Sequence, residues 1–198
     1  MDAGCGYRNI TGFLLDQAEL VVGLDSSPAF YEAVTQRFAG RSNFRSVLGD
    51  ISDRNLIASL KPYEIDTVVC VNVLKHIRDD EGALDAFREI LVRGGRLVLL
   101  LPAFRFLFGS IERADGHFWC YSRGDLMRRL GGCGFHVVMT RYMNLLGIVG
   151  WFLNGKILRR KFIPESHYAA YDRLVPVLRA VERVVVPLGL SLLWVAQK

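Results

Sequence analysis

The chain has 198 residues, 51% of them hydrophobic and 23% charged. That balance supports a buried core and excludes a disordered, collagen-like or disulfide-dense chain. The net charge of +5 is uneven: residues 1–150 hold 17 Lys/Arg and 17 Asp/Glu, whereas residues 151–198 hold 8 against 3 and carry the whole excess.

Short apolar runs alternate with helical patterns through the first 140 residues. Strands are predicted at 20–24, 44–48, 65–71, 96–101 and 135–142, with a closing strand at 190–196. Helices are predicted near 10–16 and over 27–38, 53–60, 80–92 and 122–131, the last with Ser122 as its N-cap. In the 80–92 helix Ala83, Leu84, Phe87, Ile90 and Leu91 follow a 3.6-residue spacing, and Gly94-Gly95 should stop it. The strands read as continuous apolar runs, which implies a parallel sheet with helices on both faces. Residues 144–188 break the rhythm with an apolar run (LLGIVGWFL), a basic cluster (Lys156, Arg159, Arg160, Lys161) and a helical pattern around 168–184.

The four cysteines, Cys5, Cys70, Cys120 and Cys133, form no CxxC pair and no zinc-type cluster. Free thiols in a reducing cytosol and no metal site are expected. The N-terminus, MDAGCGYRN, lacks the basic and apolar regions of a signal peptide. No uncharged stretch of the C-terminal half exceeds the 14 residues of Tyr142 to Gly155, short of the roughly 20 that a spanning helix needs. We therefore expect a cytoplasmic protein without a transmembrane helix.

Asp2-Ala3-Gly4-Cys5-Gly6 precedes the first helix. Glycines at the exit of a strand let backbone approach a ligand, and a helix N-terminus offers free N–H groups. Asp25 ends the next strand, where a carboxylate can accept both hydroxyls of a ribose. Gly49-Asp50-Ile51 ends the one after, where a carboxylate can meet an adenine amino group. A nicotinamide fingerprint would place a third glycine at Asn9, so an NAD-dependent oxidoreductase is disfavoured.

These motifs, with Val71–Ile77 after the fourth strand and Leu91–Leu97 before the fifth, resemble the class I S-adenosylmethionine-dependent methyltransferases. The resemblance covers about residues 1–143 and the final strand. It implies a single α/β domain with a doubly wound, Rossmann-like methyltransferase sheet. Residues 1–143 would be the cofactor core, 144–188 a helical lid or insertion before the last strand, and 189–198 the closing strand. It implies S-adenosyl-L-methionine as cofactor, held by Asp2, Gly4, Gly6, Asp25, Ser26, Asp50, Ile51, Asn72 and Val73. Gly116–Ser122 and Asn144–Asn154 resemble a narrower branch of small bacterial methyltransferases, whose members often act beside glycosyltransferases. A small-molecule or lipid-linked glycan acceptor is the corresponding expectation.

Four positions depart from that pattern. Only Met1 precedes Asp2, where the family's first strand has several apolar residues, so the resemblance implies sequence upstream. Arg8 stands where a third glycine is common, Lys75 where an acid is common, and Trp119-Cys120 where relatives often carry two arginines. They motivate a second reading, a catalytically impaired binding or scaffold protein.

Methyl transfer needs alignment above all, with a general base where the acceptor is a hydroxyl. His117, Tyr121 and His76 are the candidates. Against that, His117 can pack at a loop, Tyr121 can be a packed aromatic with a satisfied hydroxyl, and His76 can serve a helix end. The 145–161 segment is read first as a lid over the acceptor pocket and second as an element lying on an anionic membrane. No nucleic-acid motif accompanies the basic residues, and nothing in the sequence indicates the oligomeric state.

Overall fold

The computed structural model describes residues 1–7, 10–103, 118–119, 121–145, 147–158 and 188–198. Its strands are β1 (Asp2–Ala3), β2 (Val21–Asp25), β3 (Phe44–Leu48), β4 (Thr67–Val71), β5 (Arg96–Pro102), β6 (His136–Met143) and β7 (Ser191–Gln197). Between them run α1 (Ile10–Leu15), α2 (Pro28–Arg37), α3 (Arg54–Leu60), α4 (Asp80–Ile90), α5 (Arg123–Gly132) and α6 (Gly147–Phe152). Short 3-10 turns occupy Lys61–Tyr63 and Leu74–His76, and a π turn spans Leu153–Ile157.

The strand order is β3-β2-β1-β4-β5-β7-β6. From β1 the chain steps outward to β2 and β3, then returns to the other side of β1 for β4 and β5. The order therefore reverses between β1 and β4, and the crevice beyond the carboxyl ends of those strands is where open α/β sheets bind ligands. β1 has two residues and takes its place through Asp2, which lies in register with Gly23 on one side and Val69 on the other.

The expected all-parallel sheet is corrected at one edge, since β7 runs antiparallel to both β5 and β6. The chain re-enters the sheet where it left it. Leu190 N–H donates to Asn144 O at 3.0 Å, and a Cβ on Gly189 would lie 2.6 Å from Met143 N. A strand starting at the end where its neighbour stops must run back, and it needs no crossover helix.

Opposite faces of β2 serve two cores, as the period of two dictates. Val22 and Leu24 join the main cluster, which includes Ile57, Leu84, Phe87, Leu97, Leu99 and Trp194. Val21 joins a smaller one with Cys5, Leu15, Val34 and Phe44. On α4 the buried set is Ala83, Leu84, Ala86, Phe87 and Ile90, the stripe expected of a helix lying on a sheet. Phe87 is fully buried, and burying a side chain of that size contributes about 1.5–3 kcal/mol.

Element ends are set by capping. Ser122 caps α5, its hydroxyl accepting from Asp125 N–H at 3.1 Å, as expected. Asp53 accepts from Asn55 and Leu56 N–H and so stands just outside α3 rather than within it. The helix predicted over 80–92 ends earlier, where Leu91 turns extended (φ −66, ψ 137). Gly94, at φ +79, makes the turn into β5 instead. A Cβ on Gly95 would lie 2.9 Å from the carbonyl oxygens of Asp66 and Val92. The helical pattern around 168–184 falls outside the described residues.

Candidate functional site

The site is built on the loop after β1. Gly4 and Cys5 N–H both donate to Leu24 O, at 2.7 and 3.1 Å, folding the loop over the end of β2. Gly4 has φ +74 and Gly6 φ +50, the left-handed region in which only glycine is at ease. Gly4 faces the end of β4, and a Cβ there would lie 2.9 Å from Val73 Cγ1 and closer still to Cγ2. Gly6 faces open space, with no atom within 4 Å of where its Cβ would be. One glycine lets two strands meet at the switch point, and the other leaves room beside it.

Asp25 joins the two sides of this turn. Its Oδ2 accepts from Gly6 N–H and its Oδ1 from Ser27 N–H, both at 2.9 Å. The carboxylate therefore orients the glycine loop and the entry to α2 together, and each oxygen keeps acceptor capacity. The α2 N-cap is Ser27, whose side chain makes no capping bond, so Asp25 acts from two residues upstream. Ser26, between them, is exposed.

Asp2 sits beneath the loop. It is buried, and its Oδ2 accepts from the Thr11 hydroxyl at 2.6 Å. Burial pushes its carboxyl above the usual carboxylate range, against the pull of Thr11. Asp2 thus ties β1 to α1, and Thr11 is a partner that spacing alone did not suggest. Cys5 is buried, chiefly by desolvation its thiol is pushed up to about 12, and the same holds for Cys70. Neither is a nucleophile near neutral pH.

Asp50 is exposed after β3, where its Oδ1 accepts from Ser52 N–H and the Ser52 hydroxyl at 2.8 and 2.6 Å. Ile51 is buried beside it. Gly49 N–H donates to Asp25 O at 3.0 Å, which ties the ends of β2 and β3. After β4, Asn72 is left-handed at φ 59, and its N–H donates to Leu100 O at 2.8 Å. Asn72 and Val73 bring the β4 exit against Gly4. An aromatic pair that sequence reasoning missed stands at the rim. Tyr7, 60% exposed, meets Phe30 edge-on with ring centroids 4.5 Å apart.

The acceptor-side candidates divide. His117, like Arg8 and Cys120, lies outside the described residues. His76 is exposed at the end of the 74–76 turn, and Lys75 beside it is buried. Tyr121 is buried, and its hydroxyl donates to Asp80 Oδ2 at 2.8 Å. Desolvation and then this hydrogen bond hold the phenol well above its ordinary range.

Arg129 closes the cluster around Asp80. Its Nη1 lies 2.7 Å from Asp80 Oδ1 and 3.0 Å from Glu81 Oε1, and its guanidinium lies 4.9 Å from the centroid of the Trp119 ring. The Trp119 indole donates to Ile77 O at 2.9 Å, and Phe118 N–H to Lys75 O at 2.9 Å. Phe118 and Trp119 are thereby pinned to the turn that follows β4. In the sequence Asp80 reads as an ordinary first-turn acid, and its burial is the signal that was missing.

Comparison with known proteins agrees with this geometry. Residues 1–97 match the family model described as a methyltransferase domain. An uncharacterized methyltransferase of Geobacillus sp. (strain WCH70) is 30% identical over 111 residues, which is 53% of this chain and 47% of the relative. The chain thus spans about half the length of that curated relative. A crystallised TehB-like S-adenosylmethionine-dependent methyltransferase from Corynebacterium glutamicum is 22% identical with a TM-score of 0.60, covering 100% of this chain and 78% of that one. The magnesium protoporphyrin IX methyltransferase of Synechocystis PCC 6803, crystallised with bound SAH, is 17% identical with a TM-score of 0.61, covering 100% and 72%. At these identities the structures show a shared fold.

Proposed function

We propose that the chain is a class I S-adenosylmethionine-dependent methyltransferase, in line with the match of residues 1–97 to a methyltransferase domain, and that it binds this cofactor and methylates a small, glycan-like or lipid-linked acceptor. The observation that carries the cofactor reading is the Asp25 carboxylate. It accepts from Gly6 and Ser27 N–H at the switch point of the sheet, beside a glycine whose missing side chain leaves open space.

These residues fit the group. Asp25, with unused acceptor capacity, suits a ribose diol, and Asp50 suits the adenine end. Gly6 leaves room for the backbone-proximal part, and Gly4 lets Val73 close in beside it. Asp2 acts from below, through Thr11 and α1. Ser26, Ile51, Asn72 and Val73 complete the wall, and the exposed Tyr7–Phe30 edge offers an apolar face at the rim. When bound, the cofactor supplies a methyl group activated on a sulfonium. The chain's own task is then to orient two partners and exclude water.

On the acceptor side we assign Tyr121 a positioning role, because its proton is committed to Asp80. Proton removal is left to His117 or His76, if the acceptor is a hydroxyl. The second reading, an impaired binding protein, draws on the buried Lys75 and on Arg8. The lipid-linked class of acceptor draws on the apolar and basic character of residues 144–161.

Calorimetric titration with S-adenosylhomocysteine, with NAD as control, tests the cofactor reading. We expect micromolar binding and no NAD binding; a folded sample binding neither defeats the proposal. Tenfold or greater gain of affinity in Arg8→Gly would favour the impaired protein. An acceptor screen by methyl incorporation would begin with lipid-linked sugars.

A further inference from the structure

The chain leaves β6 through Asn144, left-handed at φ 63, whose side chain accepts from Gly147 N–H at 2.8 Å. Helix α6 starts there and runs without a break into the π turn, where Leu158 N–H donates to Leu153 O at 2.9 Å. In an α-helix residues four apart lie one above the other. In an i→i+5 turn that relation passes to residues five apart. Phe152 is therefore aligned with Ile157, and Leu153 with Leu158. All four are exposed, at 41%, 59%, 44% and 54% respectively. Asn154 is buried, its side-chain amide donating to Gly150 O at 2.8 Å, which fixes the side facing inward. The π turn thus gathers on one outward side four large apolar groups that a regular helix would scatter.

Charge accompanies this face. Lys156 belongs to the turn and Arg159, Arg160 and Lys161 follow it directly in sequence. Residues 151–198 hold 8 Lys/Arg against 3 Asp/Glu, whereas the rest of the chain is balanced. We propose that the 152–158 face docks this protein on a bilayer surface containing anionic lipid. The four apolar side chains would enter the headgroup boundary, and the basic residues would meet lipid phosphates. A second copy fits poorly, because it would bring the same net positive charge of residues 151–198 and nothing to match it. Nucleic acid would leave the apolar side chains in water. The surface stands independently of the cofactor site, so its test involves no methyl transfer.

The full chain is sedimented with vesicles of phosphatidylcholine alone or with phosphatidylglycerol in about a 2:1 ratio. Anionic vesicles should be preferred at least about tenfold, with the preference falling as salt is raised. Arg159→Gln/Arg160→Gln/Lys161→Gln should cut anionic binding by about 100-fold, taking about fivefold for each charge. Phe152→Ser/Ile157→Ser should abolish it while the far-ultraviolet dichroism stays unchanged. Leu158→Trp gives a readout that does not depend on that double variant, since the indole emission should shift to the blue and be quenched by brominated lipid. Three results would overturn the proposal. One is equal partition to both vesicle types, and another is an emission of the Leu158→Trp variant that anionic vesicles leave unmoved. The third is a concentration-dependent dimer that Phe152→Ser/Ile157→Ser dissociates without any vesicle binding.

Discussion

Replacing Gly4 by alanine separates the two demands made on that residue. Its backbone stands at φ +74, where a Cβ costs about 1–2 kcal/mol. The new methyl would also fall inside the Val73 isopropyl group, 2.9 Å from Cγ1. Overpacking of that kind costs about 1–3 kcal/mol. The sum, roughly 2–5 kcal/mol, is a large part of the ~5–15 kcal/mol that holds a domain together. At about 2–4 °C per kcal/mol for a chain of this length, the melting temperature should fall by about 4–20 °C. Val73→Ala removes the obstruction and leaves the backbone term. In that background Gly4→Ala should cost only about 1–2 kcal/mol, a coupling of about 1–3 kcal/mol in a double-mutant cycle. Urea unfolding of the four proteins measures it. Gly6→Ala is the internal control for function, because its Cβ position has no atom within 4 Å. It should cost the fold no more than the backbone term, yet weaken S-adenosylhomocysteine binding tenfold or more, since the methyl enters the space assigned to the ligand. Equal Gly4→Ala costs in both backgrounds would refute the steric argument. Undiminished ligand binding by Gly6→Ala would refute the assignment of that space.

Other substitutions probe the groups around the turn. Asp25→Asn turns one of two acceptors into a donor facing an N–H, which should cost about 1–3 kcal/mol and lower cofactor affinity at least tenfold by calorimetry. Arg129→Ala leaves Asp80, with 3% of its side chain exposed, buried without its cation, and about 3–5 kcal/mol should be lost in a denaturant melt. Tyr121→Phe removes a hydrogen bond to a buried carboxylate and should cost about 1.5–3 kcal/mol, yet leave kcat and its pH profile unchanged, whereas a catalytic hydroxyl would shift both. Burial raises the Asp2 carboxyl above its ordinary 3.8, so in the window just above that value the folded chain binds more protons than the unfolded chain. Stability therefore falls as pH rises through that window. Asp2→Asn, which keeps an acceptor for Thr11, should flatten the Tm-against-pH curve above about pH 4.

The cofactor side of the molecule was legible because it depends on local rules. Glycines at a strand exit and acids at the ends of the next two strands are positions in a chain, and the βαβ rhythm brings them to one edge of the sheet. The antiparallel course of β7 was not legible. It follows from Gly189 meeting Met143, residues far apart in the sequence, a contact that no local pattern announces. The partner of Asp2 was hidden for the same reason, since Thr11 reads as one more polar residue at a helix start. Tyr121 was singled out as a chemical group, and Asp80 and Arg129 were not singled out at all. What decides their roles is burial and mutual distance, and neither has a periodicity.

The way these groups are shared explains how the loop after β1 is held at the switch point. Gly4, Cys5 and Gly6 N–H are held by Leu24 O and by Asp25, so the loop is fixed to the end of β2. On the other side of the switch point, Phe118 and Trp119 attach to carbonyls of Lys75 and Ile77. The ion pair of Asp80 with Arg129 then locks α4 to α5. A buried pair of this kind adds little net stability against an apolar alternative, so its value lies in position. It holds Trp119 and Tyr121 against the turn that follows β4, and through Val73 that turn meets Gly4. Cofactor-side and acceptor-side loops thus share one support, and disturbing Arg129 should shift the apparent affinity for the acceptor as well as the melting point.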